Sequence, residues 1–264
     1  MPSATRWTER RRVSSTGFTL LELVMVVAIA GVLMALLLPA LSSAKEKSRR
    51  SVCGQNMRQD IMALRMYSDY ADNQGRLPPA TDNRGAYHSI RLSDFTFTNL
   101  VFQLDGESNS LYCPNLVYYT GEMGGYDPSV GYTIGYSYLA VEPLPQTPKG
   151  PDEGWTGPLK ADETGKVIAD ANYWSTISSL PMTVAPHTAG GSIVATPLVS
   201  GAAISSLQPA SVSPAPGATS TAMGAAGGNI GSLDGSVIWQ PIRLLKQYPA
   251  SIELDGSSGA FGNW

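Results

Sequence analysis

Hydrophobic positions are spread unevenly along this chain. From Leu23 to Leu41 no charged residue interrupts the run LVMVVAIAGVLMALLLPAL. At ~1.5 Å per residue a helix of that length crosses the ~30 Å hydrocarbon layer of a membrane. A secretory signal has a shorter apolar core of ~7–15 residues with a small-x-small site behind it, and this run fits neither feature. Beyond the run, polar residues return and a stripe emerges. Cys53, Met57, Ile61, Leu64, Tyr67 and Ala71 recur three and four positions apart, while Arg58, Gln59, Arg65 and Asp69 fall off the stripe. That spacing is one face of a 3.6-residue helix. Asn73-Gln74-Gly75 and then Pro78-Pro79 read as its stop. The pattern thus predicts nearly one helix from Phe18 to Gln74. Its first half is apolar all round and its second half packs one face on a globular head.

The rest of the chain changes period. Leu100–Leu104, Leu111–Cys113, Leu116–Tyr119, Tyr132–Val141 and Val167–Ala169 are short apolar runs, set apart by Gly, Pro, Asn and Asp. They read as strands of a small antiparallel sheet, which makes the fold class α+β. Tyrosines at 118, 119, 126, 132, 136 and 138 read as amphipathic strand residues, with a carbohydrate-contacting surface as the alternative. Residues 178–228 are rich in Ser, Ala, Pro, Gly and Thr and predict a flexible insertion, with Ile193–Leu198 and Ala202–Leu207 as weak strands. Asp234-Gly235, between Ile230–Leu233 and Val237–Trp239, fits a two-residue hairpin turn in which Gly supplies positive φ. The expected organisation is a basic leader (1–17), a membrane and assembly helix (18–41), its amphipathic continuation (42–75), a β head (76–177), the insertion (178–228), and a hairpin with a tail (229–264).

Charge sharpens this picture. Residues 1–17 hold Arg6, Arg10, Arg11 and Arg12 against Glu9 alone; without them the 18 basic and 21 acidic side chains become 14 and 20, a net −6. Basic residues just before an apolar span mark the cytoplasmic flank. The acidic remainder belongs on the other side. An overall net charge of −3 gives no case for binding nucleic acid.

Glu22 is the residue that does not fit a plain anchor, because an acid just inside an apolar span is costly and marks a function or a partner. Arginines, then Gly17-Phe18-Thr19-Leu20-Leu21-Glu22, then the long span, resemble the type IV prepilin leader and cleavage motif. Type IV pilins share that motif with the pseudopilins of type II secretion systems. The resemblance implies a pilin-like fold, with a long N-terminal helix on a small antiparallel β head. It implies cleavage between Gly17 and Phe18 by a prepilin peptidase, and methylation of the new Phe18 amine. It also implies export from an inner-membrane assembly platform into a filament of like subunits. The subunit would be single-pass in the inner membrane, its N-terminus cytoplasmic and its head periplasmic, or part of an extracellular filament. Glu22 would pair with the Phe18 amine of its own or a neighbouring chain and set register, as one buried polar group does in a coiled coil. Pro39, near the end of the span, removes a helix hydrogen bond and favours a kink.

Further pieces resemble a subgroup of pilin-like proteins from planctomycete and verrucomicrobial bacteria: Cys53 to Gln59, Tyr67 to Asp72, Leu77-Pro78, Cys113-Pro114, Gly135 to Tyr138, Ile168 to Ala171, and Gly228 to Trp239. That family often has a histidine about ten residues before the Asp-Gly pair. Here Gly224 holds roughly that place, and His187 lies upstream across the insertion.

Two cysteines are too few for a Cys-rich zinc site. Cys53 on the buried stripe and Cys113 in a strand-like piece predict a disulfide that ties helix to head and stabilises by about 2–4 kcal/mol; two unrelated buried thiols are the alternative. With only His88 and His187, no metal or catalytic constellation is legible, no cofactor is expected, and a lone Asp-Gly is no calcium loop. No Gly-x-Ser-x-Gly or His-Glu-x-x-His is present, so the chain reads as a non-enzyme. The leading reading is a structural filament subunit. The runner-up is a minor or tip subunit whose head binds a substrate or surface.

Overall fold

A computed structural model of the chain describes residues 19–116, 126–140, 160, 163, 165–175, 183–188, 194–196, 219, 221–222, 224–252 and 260–264. The chain divides into two compact units, Met1–Leu41 and Ser42–Trp264. Helix α1 (Leu20–Asp69) contributes to both.

In the first unit α1 opens on a reciprocal cap. The Thr19 amide and hydroxyl donate to Glu22 Oε2 at 2.9 and 2.8 Å, and the Glu22 amide donates back to Thr19 Oγ1 at 3.2 Å. Such a box satisfies donors that the first helical turn leaves without partners. Pro39 sits inside α1 without ending it.

In the second unit the predicted stripe is the buried face: Cys53, Met57, Ile61, Leu64 and Tyr67 are all buried, joined by Gly54, Asp60, Ala63 and Ser68. After α1 a short 3-10 helix (Ala71–Asn73) leads into Gln74 and Gly75, both at positive φ, where the helix is stopped. The remaining elements are β1 (Tyr87–His88), β2 (Arg91–Leu92), α2 (Asp94–Gln103), a 3-10 turn (Asn109–Leu111), β3 (Tyr126–Asp127), β4 (Gly131–Thr133), β5 (Tyr136–Tyr138), β6 (Lys166–Asp170), β7 (Tyr173–Ser175), β8 (Thr183–Ala185), β9 (Val194–Thr196), β10 (Gly227–Ser232), β11 (Val237–Pro241), a second 3-10 turn (Ile242–Leu244), β12 (Gln247–Ile252) and β13 (Ala260–Asn263). They form antiparallel sheets of order β1-β12-β13-β7-β8-β9, β11-β10-β6-β5 and β2-β4-β3. A long apolar helix with antiparallel sheets is the α+β, pilin-like architecture expected.

Four expectations need correcting. Tyr132–Val141 is not one strand: β4 and β5 divide it between two sheets. Leu100–Leu104 is not a strand: Leu100 lies in α2 and Leu104 caps its end. Ser93 caps the start by accepting from the Thr96 amide, and Phe97, Leu100, Val101 and Leu104 recur at helical spacing. Leu111–Cys113 is not a strand either. Local turns use its backbone, with the Leu111 amide bonded to Ser108 O and Cys113 O accepting from Leu116. The hairpin at Asp234-Gly235 has three loop residues rather than two. Ser232 donates to Ser236 O, Gly235 donates to Ser232 O, and Gly235 sits at φ 87. The proposed strands at Leu116–Tyr119 and Ala202–Leu207 fall wholly or largely outside the described residues.

Part of the core lies between α1 and the four-stranded sheet. Ile61 and Val237 approach β10 at Gly231, and Gly54 faces Val237 and Asn229. Asn229 also donates to the Arg50 carbonyl at 3.1 Å. Small residues on both elements let the helix and the strand close on each other.

Candidate functional site

The first candidate is the surface of α1 in the N-terminal unit. From Leu20 (81% exposed) to Leu41 (53% exposed) its large apolar side chains are uncovered. The stretch is long and apolar enough to cross a membrane. A helix that is apolar all round is stable only when lipid or other helices cover it. Glu22 lies at its start, and within this chain the acid is already satisfied by Thr19. That cap was not anticipated, although the spacing Thr19-x-x-Glu22 is its known signature. Gly17 and Phe18 lie outside the described residues.

The second candidate is a buried polar cluster in the head. Sequence reasoning found no ligand constellation and missed this group. Cys53 from α1, Cys113 from the segment after the first turn, Asp170 from the end of β6 and His187 from beyond β8 bring their donor atoms within 4.8 Å of one another. The Cys53–Cys113 disulfide is not formed: both are free thiols, with Sγ atoms 2.8 Å apart. Cys113 Sγ lies 3.8 Å from His187 Nε2, and Nε2 lies 3.4 Å from Asp170 Oδ2. Gly135 lets the Cys113 backbone approach, since a Cβ there would lie 2.5 Å from the Cys113 nitrogen.

Around these four sits a second layer. Glu46 Oε1 accepts from His187 Nδ1 at 2.6 Å and from Arg50 Nε at 2.9 Å. Asn115, itself buried, donates to Glu46 Oε2 and to the Pro186 carbonyl. Asp170 Oδ2 accepts from the Asn229 amide and side chain at 2.6 and 3.1 Å. The Arg50 guanidinium lies 4.0 Å over the Trp239 ring, and His187 meets that ring edge-on. Burial alone disfavours charge on His187, but the Asp170 carboxylate and the bond to Glu46 outweigh it and push its pKa up to about 11. Burial likewise opposes the Glu46 carboxylate, yet the bonds from His187 and Arg50 hold its pKa below the ordinary value. The bond to Cys113, and then burial, push the Cys53 thiol up.

His187 reaches this place because the ends of the insertion are pinned together. Thr188 pairs with Ala225, and the Ala226 amide donates to the His187 carbonyl at 2.8 Å. The histidine therefore stands at the root of β10, beside the position Gly224 holds in sequence. Asp234 lies at the other end of that strand, exposed, with Oδ1 accepting from the Ser236 amide. Among the tyrosines, Tyr126 is exposed, donates its hydroxyl to Asp94 Oδ2 at 3.1 Å and packs on Tyr132 with ring centres 4.7 Å apart. Tyr136 and Tyr138 are buried, Tyr132 stacks on Phe97 with ring centres 3.7 Å apart, and Tyr118 and Tyr119 lie outside the described residues.

An apolar helix long enough to cross a membrane, followed by an antiparallel α+β head, fits a membrane-anchored protein. The chain is 31% identical over 100 residues to the type IV wide pilus major component PilA4 of Thermus thermophilus, a match that covers 38% of this chain and 71% of that protein. On that relationship the chain belongs to the type IV pilin family. No protein-family model matches it, and no solved structure matches it.

Proposed function

We propose that this chain is a structural subunit of a type IV pilus or a type II secretion pseudopilus. A prepilin peptidase cuts its precursor between Gly17 and Phe18, the Phe18 amine is methylated, and the mature chain is drawn from the inner membrane by an assembly platform. The observation that carries this reading is the uncovered apolar face of α1 between Leu20 and Leu41, broken only by Glu22 near its start. Lipid covers that face before assembly and sister helices cover it afterwards. Glu22 then meets a Phe18 amine in the bundle, because an unpaired charge in an apolar medium is strongly disfavoured. The basic residues ahead of the span support an orientation with the N-terminus in the cytoplasm and the head in the periplasm.

N-terminal mass spectrometry of the native protein, from membranes and from sheared filaments, tests the reading. The expected mature start is N-methylated Phe18. An intact Met1 start, in a chain that crosslinks to no sister subunit, overturns it.

A further inference from the structure

We propose that Cys53, Cys113, Asp170 and His187 form a structural zinc site that clasps the helix to the head. The site is independent of filament assembly.

Two thiols, one imidazole and one carboxylate converge from four separate parts of the chain, and all four residues are buried. Such a donor set suits a tetrahedral, thiophilic divalent cation. Calcium and magnesium take oxygen ligands, and iron–sulfur clusters take four thiolates or, in Rieske centres, two thiolates with two imidazoles, where this group has one imidazole. With four protein donors a tetrahedral ion keeps no open position, so the site is structural rather than catalytic.

Two further observations point to a ligand. Asp170 Oδ1 is buried and has no hydrogen-bond partner among the described residues, while Oδ2 is held by Asn229 and lies 3.4 Å from His187 Nε2. A buried carboxylate oxygen without a partner is costly. A cation that this carboxylate takes through Oδ1 as well as Oδ2 relieves that cost. The other observation is the His187–Glu46 bond. A metal-bound histidine characteristically donates its far ring N–H to a carboxylate, which fixes the tautomer and aims the near nitrogen at the ion. Here Nδ1 donates to Glu46, and Nε2 faces Cys113 and Asp170.

As the ion binds, the two thiols and the imidazolium Nε2 release their protons to solvent. Bonds of ~2.3 Å at tetrahedral angles hold two thiolates roughly 3.8 Å apart, so the sulfur atoms separate by about 1 Å from the thiol contact. The closed site joins α1 to the end of β6 and to the root of β10.

The test uses the full chain, purified in detergent under reducing conditions. Elemental analysis after addition of zinc chloride and gel filtration should find one zinc per chain. Cobalt(II) in its place should give thiolate-to-cobalt charge transfer and the intense visible bands of a tetrahedral ion. Chelation should lower the Tm of the wild type, and zinc should restore it. Glu46→Gln, which alters only a positioning residue, should bind zinc about 10–100-fold more weakly and keep the thiolate–cobalt bands. Cys53→Ser with Cys113→Ser should lose both the metal and the chelator response. Zinc uptake that survives in this double variant overturns the proposal. So does a native Cys53–Cys113 disulfide that takes up no zinc after reduction. Should the double variant fail to fold, the chelator response of the wild type and the Glu46→Gln affinity decide the matter.

Discussion

The Cδ1 atom of Ile61 lies 2.7 Å from the point where a Cβ on Gly231 would stand. Ile168 Cγ2 crowds the same point at the same distance. Helix α1 and strand β10 meet there with no room for a methyl group. Gly231→Ala should therefore force both isoleucines off their packing and destabilise by about 1–3 kcal/mol, as overpacking does. Ile61→Val in the same chain removes the Cδ1 and should recover part of that loss. Thermal unfolding of the wild type, both single variants and the double variant measures the coupling. Strictly additive effects would mean that helix and strand do not touch there.

Glu22 and Thr19 hold each other through the capping box, which gives the acid a role inside one chain beside the proposed one between chains. Two substitutions separate the roles. Glu22→Gln keeps an oxygen for Thr19 and loses the charge. Thr19→Ala loses the cap at a cost of ~1 kcal/mol and keeps the charge. If the acid meets a neighbour's amine, Glu22→Gln should cut sheared filament by about tenfold or more, since breaking a buried ion pair costs several kcal/mol. Thr19→Ala should assemble close to the wild type. The reverse pattern, read by immunoblot of sheared material, assigns Glu22 to capping alone.

The helical stripe was legible before any coordinates because its period repeats over several turns: Cys53, Met57, Ile61, Leu64 and Tyr67 all point inward. Leu100–Leu104 was misread because a five-residue apolar run carries no period of its own. The deciding signal lay at the cap, Ser93, outside the window. The head cluster was illegible for another reason. Its members at 46, 53, 113, 170 and 187 share no local spacing, and only the fold brings them together. His187 was hardest of all, since its neighbourhood with β10 depends on the Thr188–Ala225 pairing across the insertion. The Asp170 and Cys113 segments did stand out in sequence, but as isolated pieces.

Trp264 is fully buried and stacks on Tyr248 with ring centres 5.5 Å apart, and its ring leaves no space for a side chain at Gly262. Its amide and carbonyl both pair with Lys246. It thereby anchors β13, an inner strand of the six-stranded sheet between β12 and β7. Trp264→Ala should cost about 3–5 kcal/mol, the usual loss for a buried aromatic truncated to alanine. The check is a fall in Tm with faster proteolysis near residues 246–264. A Tm within a degree of the wild type would show that the strand holds without it.

Asp60 is buried on the inner face of α1, where Ser110 donates to its Oδ1 at 2.6 Å and its Oδ2 has no hydrogen-bond partner among the described residues. Burial pushes its pKa up to about 7, against the smaller opposing effect of the Ser110 bond. In the unfolded chain an aspartate titrates near ~3.9. Between those values the folded state keeps a proton that the unfolded state has lost, so stability falls as pH rises through that window. Below it both states are protonated, and above about pH 7 both are ionised, so the contribution levels off at each end. Asn in this place still offers an oxygen to Ser110 and never ionises. The Tm difference between Asp60→Asn and the wild type should therefore move in favour of the variant from pH 4.5 to pH 7.5, intervals set by ~3.9 and the raised value. Other titrating groups contribute to both proteins alike and cancel in the difference. A difference that stays flat across the range would mean that Asp60 is ionised in the folded protein throughout, with a cation or a donor at its free oxygen.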